Sequence, residues 1–176
     1  MFKSLLITMA TLAVATSAFA ASGKPADAVL AKHKAIMGPE ECQAELEDQS
    51  ETYQLNANKQ LVLIPCYMGA YQGSSRAYIV SGGSNSPYIE QVMVLAYDEL
   101  TKAISATLDL TSPDYDEKTK TLSTFAKGRG LGDCGQTSQS KIIADQYSVS
   151  VKTVEIVAKA ECDGDYDKEW PVVFKQ

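Results

Sequence analysis

The chain has 176 residues, a length typical of one domain, and its 22 acidic against 16 basic side chains give a formal charge of −6 at neutral pH. This charge argues against a nucleic-acid partner, because phosphates repel an acidic protein. It favours a basic protein partner, because opposite charges speed association.

The N-terminal segment predicts export. The first 20 residues, MFKSLLITMATLAVATSAFA, contain one lysine, an apolar run over residues 5–14 and a closing Ala18-Phe19-Ala20. This pattern is typical of a secretory signal peptide cleaved after Ala20. A membrane anchor is the rival interpretation, but the run is short for about 30 Å of hydrocarbon. We expect one domain over residues 21–176, periplasmic or secreted, without stable membrane insertion after cleavage.

One helix precedes a long β-rich region. Residues 25–37 carry apolar side chains at helical spacing, and Gly38-Pro39 predicts the end of the helix. His33, the single histidine, lies on or beside the apolar stripe, where packing is a commoner role than catalysis.

From residue 52 onwards the apolar period changes to that of strands. Short runs rich in β-branched and aromatic residues alternate with polar positions, and turn-forming clusters separate them. The order contains no βαβ rhythm. The sequence therefore predicts a mainly β fold, an antiparallel meander forming a curled sheet or sandwich, with one N-terminal helix.

The cysteine content predicts two disulfides. The chain holds four cysteines: Cys42, Cys66, Cys134 and Cys162. An even number in an exported protein favours disulfides over a metal site, since there is no C-x-x-C spacing. Spacing alone leaves three connectivities open. Residues 136–144 and 154–162 predict a hairpin turning near residues 146–148, which favours Cys134–Cys162 and, by elimination, Cys42–Cys66.

A glycine-rich segment is the most distinctive stretch of the chain. Residues 130–135, GLGDCG, match the GxGxxG spacing of a dinucleotide-binding turn. That motif needs a buried parallel strand before it and a helix after it, whereas the flanking runs here both predict half-buried strands. We therefore expect no cofactor and no binding of NAD, FAD or ATP. Two interpretations remain: a sharply bent, bulged crossing of the sheet, or an exposed functional loop.

Metal binding and catalysis are weaker hypotheses. Alternate acidic residues near the C-terminus form a weak Ca²⁺ candidate: Asp163, Asp165, Asp167 and Glu169. The segment lacks the central glycine and the distal glutamate of an EF-hand, and a polar acidic turn explains it equally well. A nucleophilic triad is difficult to build with one histidine and oxidised cysteines, so we expect a protein that is not an enzyme.

The chain resembles a known bacterial family. The PCYMGAY segment at residues 65–71, a Tyr-Asp turn, KGRGLGDCG at residues 127–135 and Trp170-Pro171 resemble the bacterial family of unknown function DUF1176. This resemblance covers about residues 61–174 and implies an exported bacterial protein. A looser resemblance of pattern extends to periplasmic lysozyme inhibitors and immunity proteins, which are small, secreted, disulfide-bonded β proteins.

These observations favour a protein-binding function. We expect a periplasmic binding module, most plausibly an inhibitor or immunity-type partner of a cell-wall-active, lysozyme-like enzyme. The alternative is an envelope structural or stress protein that binds another ligand, such as Ca²⁺. The predicted partner surface combines two cysteine-anchored, glycine-containing segments: Tyr67, Tyr71, Arg76, Lys127 and Arg129. The rival interpretation packs the tyrosines in the core and pairs the cations with local carboxylates such as Asp133.

Overall fold

The computed structural model describes residues 21–22, 26–38, 42–82 and 87–176. The predicted signal peptide, residues 1–20, lies outside the described residues. In the described part of the chain, no helix is long and apolar enough to cross a membrane.

The described elements are one α-helix, one 3₁₀ helix and thirteen strands. The helices are α1 (Asp27–Met37) and a 3₁₀ helix (Ala44–Gln49). The first strands are β1 (Ala21–Ser22), β2 (Glu51–Asn56), β3 (Lys59–Met68), β4 (Gly73–Ser81), β5 (Tyr88–Gln91), β6 (Val94–Asp98) and β7 (Ala103–Thr107). The remaining strands are β8 (Leu110–Thr111), β9 (Asp114–Asp116), β10 (Thr121–Lys127), β11 (Gly135–Ala144), β12 (Val149–Lys159) and β13 (Val172–Lys175).

The strands form three antiparallel sheets. The first sheet has the order β1-β2-β3-β4-β5, with β8 pairing with β4. The second has the order β13-β12-β11-β10-β9, and β6 pairs with β7 in a separate hairpin. Neighbouring strands are mostly consecutive in the chain, as in a meander. The predicted mainly β fold with one N-terminal helix is therefore confirmed.

Two apolar clusters hold these layers together. The larger cluster joins the first and second sheets and contains Tyr53, Leu61, Leu63, Ala77, Ile79, Val92, Val94, Leu110, Tyr115, Leu122 and Ile142. The smaller cluster packs α1 on the other face of the first sheet and contains Val29, Leu30, Val62, Ile64 and Tyr78. Full burial of one such aliphatic side chain contributes about 1.5–3 kcal/mol. The first sheet is consequently buried on both faces, which explains the nearly continuous apolar run of β3.

The helix begins two residues later than the sequence predicts and ends as predicted. The carbonyl of Ala26 accepts hydrogen bonds from the N–H groups of Val29 and Leu30. At the other end, Gly38 adopts a φ of 79° and donates its N–H to the Lys34 carbonyl. His33 is buried, and its Nδ1 lies 2.9 Å from the Tyr78 hydroxyl, which assigns it the predicted packing role.

Both predicted disulfides are confirmed. Cys42 pairs with Cys66 and ties the chain before the 3₁₀ helix to β3. Cys134 pairs with Cys162 and ties the start of β11 to the segment that follows β12. The hairpin of β11 and β12 turns at residues 145–148, as the sequence predicts.

Candidate functional site

The glycine-rich segment is a connection between neighbouring strands. Residues 128–134, here called the glycine loop, join β10 to β11, and Lys127 pairs with Gly135 at its base. The predicted bulged crossing of the sheet is therefore wrong. A strand follows the loop instead of a helix, so the GxGxxG spacing has no helix N-terminus with which to bind a pyrophosphate.

Close packing explains two of the glycines. Gly135 has a φ of 132°, and a Cβ on it would lie 2.1 Å from the Ala126 carbonyl oxygen. A Cβ on Gly128 would lie 2.8 Å from the Cys134 Sγ. Gly130 differs, because its backbone is not left-handed and a Cβ would meet the Tyr71 ring at an ordinary 3.7 Å. Gly130 therefore provides space for a tyrosine ring without being required by the backbone.

A buried carboxylate organises the middle of the loop. Arg129 donates from Nε to Asp133 Oδ1 at 2.8 Å and from Nη2 to Oδ2, so the ion pair is bidentate. Asp133 Oδ2 also accepts the Gly164 N–H at 2.7 Å. These hydrogen bonds, led by those of Arg129, hold the pKa of Asp133 well below its usual range. The pairing of Arg129 with Asp133 that the rival interpretation predicts is present, yet the arginine side chain remains 43% exposed.

The second predicted segment lies directly beside the glycine loop. The Lys127 N–H donates to Gln72 Oε1 at 2.8 Å, and the Tyr71 ring lies over Gly130. Tyr67 is 55% exposed and Tyr71 is 48% exposed, so neither fills the core. The prediction that these two segments lie side by side is therefore confirmed.

Two further exposed residues of the same two segments are apolar. Met68 and Leu131 are both exposed. The β3–β4 register shifts between Pro65 and Tyr67, so the alternation of β3 gives no sign of which neighbouring side chains point to solvent. We call Tyr67, Met68, Tyr71 and Leu131 the tyrosine patch.

Arg76 does not join the tyrosine patch. Its Nη1 forms an ion pair with Asp109 Oδ1 at 2.8 Å, and its Nε lies 3.2 Å from the Met37 Sδ. Its side chain is only 14% exposed. The side chain lies on the helix-covered side of the first sheet, whose burial the sequence could not reveal, so the structure corrects this prediction.

Lys127 belongs to the base of the glycine loop. Its ammonium lies 5.9 Å from the centroid of the Phe125 ring. Phe125 in turn contacts Trp170 at a centroid distance of 5.9 Å. The cation thus lies on an aromatic pair of the second sheet, near the tyrosine patch but directed along β10.

The four residues of the weak Ca²⁺ candidate, in the acidic C-terminal segment, form local contacts instead of a common cluster. In the described residues, the acidic side chains of the candidate set do not converge. Lys159 instead donates to Asp163 Oδ1 and to the Asp165 carbonyl, and its hydrogen bond lowers the pKa of Asp163 to about 2. Asp165 accepts the Asp167 N–H in a local turn, and Glu169 is exposed. Asp133, Cys134 and Cys162 do converge, but a disulfide removes both thiolates as ligands.

This segment nevertheless supplies charge next to the tyrosine patch. Residues 161–169 contain five carboxylates and one lysine. The Cys134–Cys162 disulfide and the Gly164–Asp133 hydrogen bond hold the segment against the glycine loop. Asp133 raises the pKa of Arg129, and Tyr166 and Asp163 add to that effect from nearby. The exposed tyrosines therefore lie beside a negatively charged surface.

Comparisons with known proteins identify a family. The chain is 30% identical over 121 residues to "Uncharacterized protein YpfG" of Escherichia coli (strain K12). The aligned region covers 68% of this chain and 33% of YpfG, so the chain spans about a third of the length of that relative. No solved structure matches the chain. The family model "Protein of unknown function (DUF1176)" matches residues 7–176, and the chain therefore belongs to the DUF1176 family, as its sequence motifs predict.

Proposed function

We propose that this protein is an exported binding module of the bacterial envelope, an inhibitor or immunity-type partner of a basic, lysozyme-like cell-wall enzyme. The observation that carries the proposal is the tyrosine patch, in which Tyr71 lies exposed on Gly130 beside the exposed Leu131. Tyrosines of this kind provide large contact area with little loss of conformational entropy, and they are enriched at interface hot spots.

The covalent frame around the patch favours binding. Cys66 lies next to Tyr67 in β3, and Cys134 closes the glycine loop on the other side. Two segments fixed by disulfides lose little further entropy when a partner binds. The same disulfides, together with the predicted signal peptide, support a location in an oxidising compartment outside the cytoplasm.

Charge favours a basic partner. Asp133 compensates Arg129 and Lys159 compensates Asp163, so the field beside the patch comes mainly from the other four carboxylates of residues 161–169. A cationic enzyme would be attracted by this field and then contact the tyrosines. A binding role without catalysis is supported by His33, which lies on the buried face of α1 and is hydrogen-bonded to Tyr78.

An inhibition assay with a purified cationic lysozyme tests the proposal. The mature protein is added in increasing amounts while the enzyme clears a suspension of cell walls, and calorimetry measures binding directly. We expect inhibition that weakens with salt, because screening reduces the attraction of exposed charges. Tyr71→Ala should weaken binding about tenfold or more, as truncation of an interface hot spot does.

Tyr147→Ala is the matched control. Tyr147 is 89% exposed but lies in the turn at the opposite end of β11, away from the tyrosine patch. Its loss should leave inhibition unchanged. No inhibition by the wild-type protein, even in large molar excess, would reject the lysozyme-like target. Equal losses in the two variants would reject the tyrosine patch as the binding surface.

A further inference from the structure

Strand β7 offers a free edge. Four of its five residues are exposed, and in the described part of the chain it pairs only with β6. The other side of β6 is occupied, because the Leu95 N–H donates to Thr153 Oγ1 at 2.9 Å and the Tyr97 N–H to Gln136 Oε1 at 2.8 Å. The hairpin is therefore fixed to the second sheet through β6, and β7 is its outer strand.

The two β6 hydrogen bonds also reveal which backbone groups of β7 are free. Leu95 and Tyr97 direct their N–H groups away from β7, so their register partners, Ala106 and Ile104, are not hydrogen-bonded to them. In an antiparallel ladder, the N–H and C=O groups of such residues point to the opposite side. Ile104 and Ala106 thus present two donors and two acceptors along the open edge.

The open edge of β7 lacks the protection found on the other edge strands of comparable size. β5 contains Glu90 and follows Pro87, β9 contains two aspartates and follows Pro113, and β13 ends in Lys175 and follows Pro171. Charges and prolines at these places discourage pairing with another strand. Residues 103–107, AISAT, contain neither.

We propose that two copies of this chain associate through β7, paired antiparallel about a two-fold axis at Ser105. In this register Ile104 of one copy faces Ala106 of the other in two symmetry-related pairs. The four free N–H groups, two from each copy, then all find carbonyl acceptors. A surface that pairs with itself in this way is typical of two-fold dimers.

The expected dimer is weak. Five paired residues on each side bury far less than the roughly 1,200 Å² of a standard stable interface. Each copy also carries a formal charge of −6. Long-range repulsion between the copies should therefore oppose association at low ionic strength and fade once salt reduces the Debye length to about 10 Å. Dimerisation should thus strengthen with added salt, in contrast to the binding of a basic enzyme.

Cysteine cross-linking tests the register directly. Ser105 and its symmetry mate form a pair without hydrogen bonds, for which the Cα–Cα distance is about 4.5 Å, close enough for a disulfide. Ser105→Cys should therefore yield a covalent dimer under mild oxidation. Ala103→Cys is the control, since Ala103 would face Thr107 of the other copy and should cross-link much less. Equal cross-linking of both variants, or none in either, would overturn the proposal.

A proline variant tests the hydrogen bonds. Ala106→Pro removes an N–H that points away from β6, so the β6–β7 ladder is retained, as edge strands permit. Sedimentation of the mature wild-type protein from about 10 µM to about 1 mM should reveal a dimer, and the variant should weaken it about tenfold or more. Wild-type protein that stays monomeric throughout, or a dimer that Ala106→Pro leaves unchanged, would contradict the edge pairing. Both results are independent of the enzyme-inhibition assay.

Discussion

The two ends of β11 show two ways of connecting antiparallel strands. At residues 145–148 one carboxylate is enough: Asp145 Oδ1 accepts the N–H groups of Tyr147 and Ser148, both at 2.7 Å. Lys59 holds this turn from outside by donating to the Asp145 and Gln146 carbonyls. At the other end, the glycine loop uses a disulfide, an ion pair with a buried carboxylate and a left-handed glycine.

This difference indicates where the chain does more than connect strands. The additional parts of the glycine loop fix the position of Gly130, and with it the floor on which the Tyr71 ring lies. They also hold residues 161–169 beside the loop. The turn at residues 145–148 is held by Asn56 and Lys59 through its carbonyls, without a disulfide or an ion pair of its own, although it presents an equally conspicuous tyrosine. Exposure alone therefore separates Tyr71 from Tyr147 poorly, whereas the surrounding support separates them clearly.

The largest effect should come from removing the disulfide of the glycine loop. Cys134→Ser combined with Cys162→Ser opens a link across 28 residues, which the chain-entropy model values at about 3.5 kcal/mol. Urea unfolding of the mature protein should report this loss. Asp145→Ala, at the other end of β11, should cost less. If the two changes had equal effects, the contrast between the ends would disappear.

A somewhat smaller loss should follow Gly135→Ala. The new Cβ would lie 2.1 Å from the Ala126 carbonyl oxygen at a φ of 132°, so strain and steric clash act together. We expect a loss of about 3 kcal/mol in the free energy of unfolding, measured with urea. A loss below about 1 kcal/mol would show that the base of the glycine loop can relax, contrary to the interpretation given above.

The sequence predicts the parts of this architecture that depend on local pattern. Alternation identifies most strands, and the hairpin of β11 and β12 fixes both disulfides. Two segments fail for physical reasons. Residues 90–97 predict one strand, but β5 ends at Gln91 in the first sheet and β6 begins at Val94 in a separate hairpin, with the Val92 N–H bonded to the Ala77 carbonyl between them. Residues 111–120 predict a turn, yet β9 lies within them because Tyr115 packs in the core.

The candidate site is predictable to a similar degree. Each of the two segments contains a cysteine and glycines, and this common composition correctly predicts that the Tyr71 segment and the glycine loop lie side by side. The sequence places Arg76 on the partner surface, whereas its exposure depends on whether α1 covers that face of the first sheet, and no local pattern reports this. Met68 and Leu131 are missed because exposed apolar side chains have no characteristic spacing.

The next effect in size should be the loss of stability at low pH, to which the glycine loop and the turn at residues 145–148 contribute through one carboxylate each. The Arg129 hydrogen bonds lower the pKa of Asp133, and the Ser148 and Tyr147 N–H groups lower that of Asp145. A lowered carboxyl pKa in the folded state stabilises the protein above the ordinary value of about 3.9, and this contribution is lost as the pH falls towards the folded-state pKa. Stability should therefore decrease from about pH 5 downwards.

Matched amide variants separate the two carboxylates. Asp133→Asn should lower stability at pH 7, because Arg129 and the Gly164 N–H lose their anionic acceptor, and should flatten the acid dependence. Asp145→Asn keeps an oxygen acceptor for the turn and should flatten it less. Urea midpoints between pH 2 and pH 7 measure both slopes. The reverse order would mean that the Arg129–Asp133 pair contributes less to stability than the short turn does.

The smallest effect should come from Gly130→Ala, and this result would sharpen the comparison most. Gly130 is the glycine of the loop whose backbone is not left-handed and whose added Cβ would meet only the Tyr71 ring, at 3.7 Å. Alanine also restricts the unfolded chain, so stability should stay within about 0.5 kcal/mol of wild type or rise slightly. The test is urea unfolding of the Gly130→Ala and Gly135→Ala variants under identical conditions. Two glycines five positions apart would then differ about sixfold in cost, because one is required to close the hairpin and the other only supports an exposed tyrosine. Should Gly130→Ala prove as damaging as Gly135→Ala, strand connection alone would account for the composition of the loop, and Tyr71 would lose its main structural argument as a binding residue.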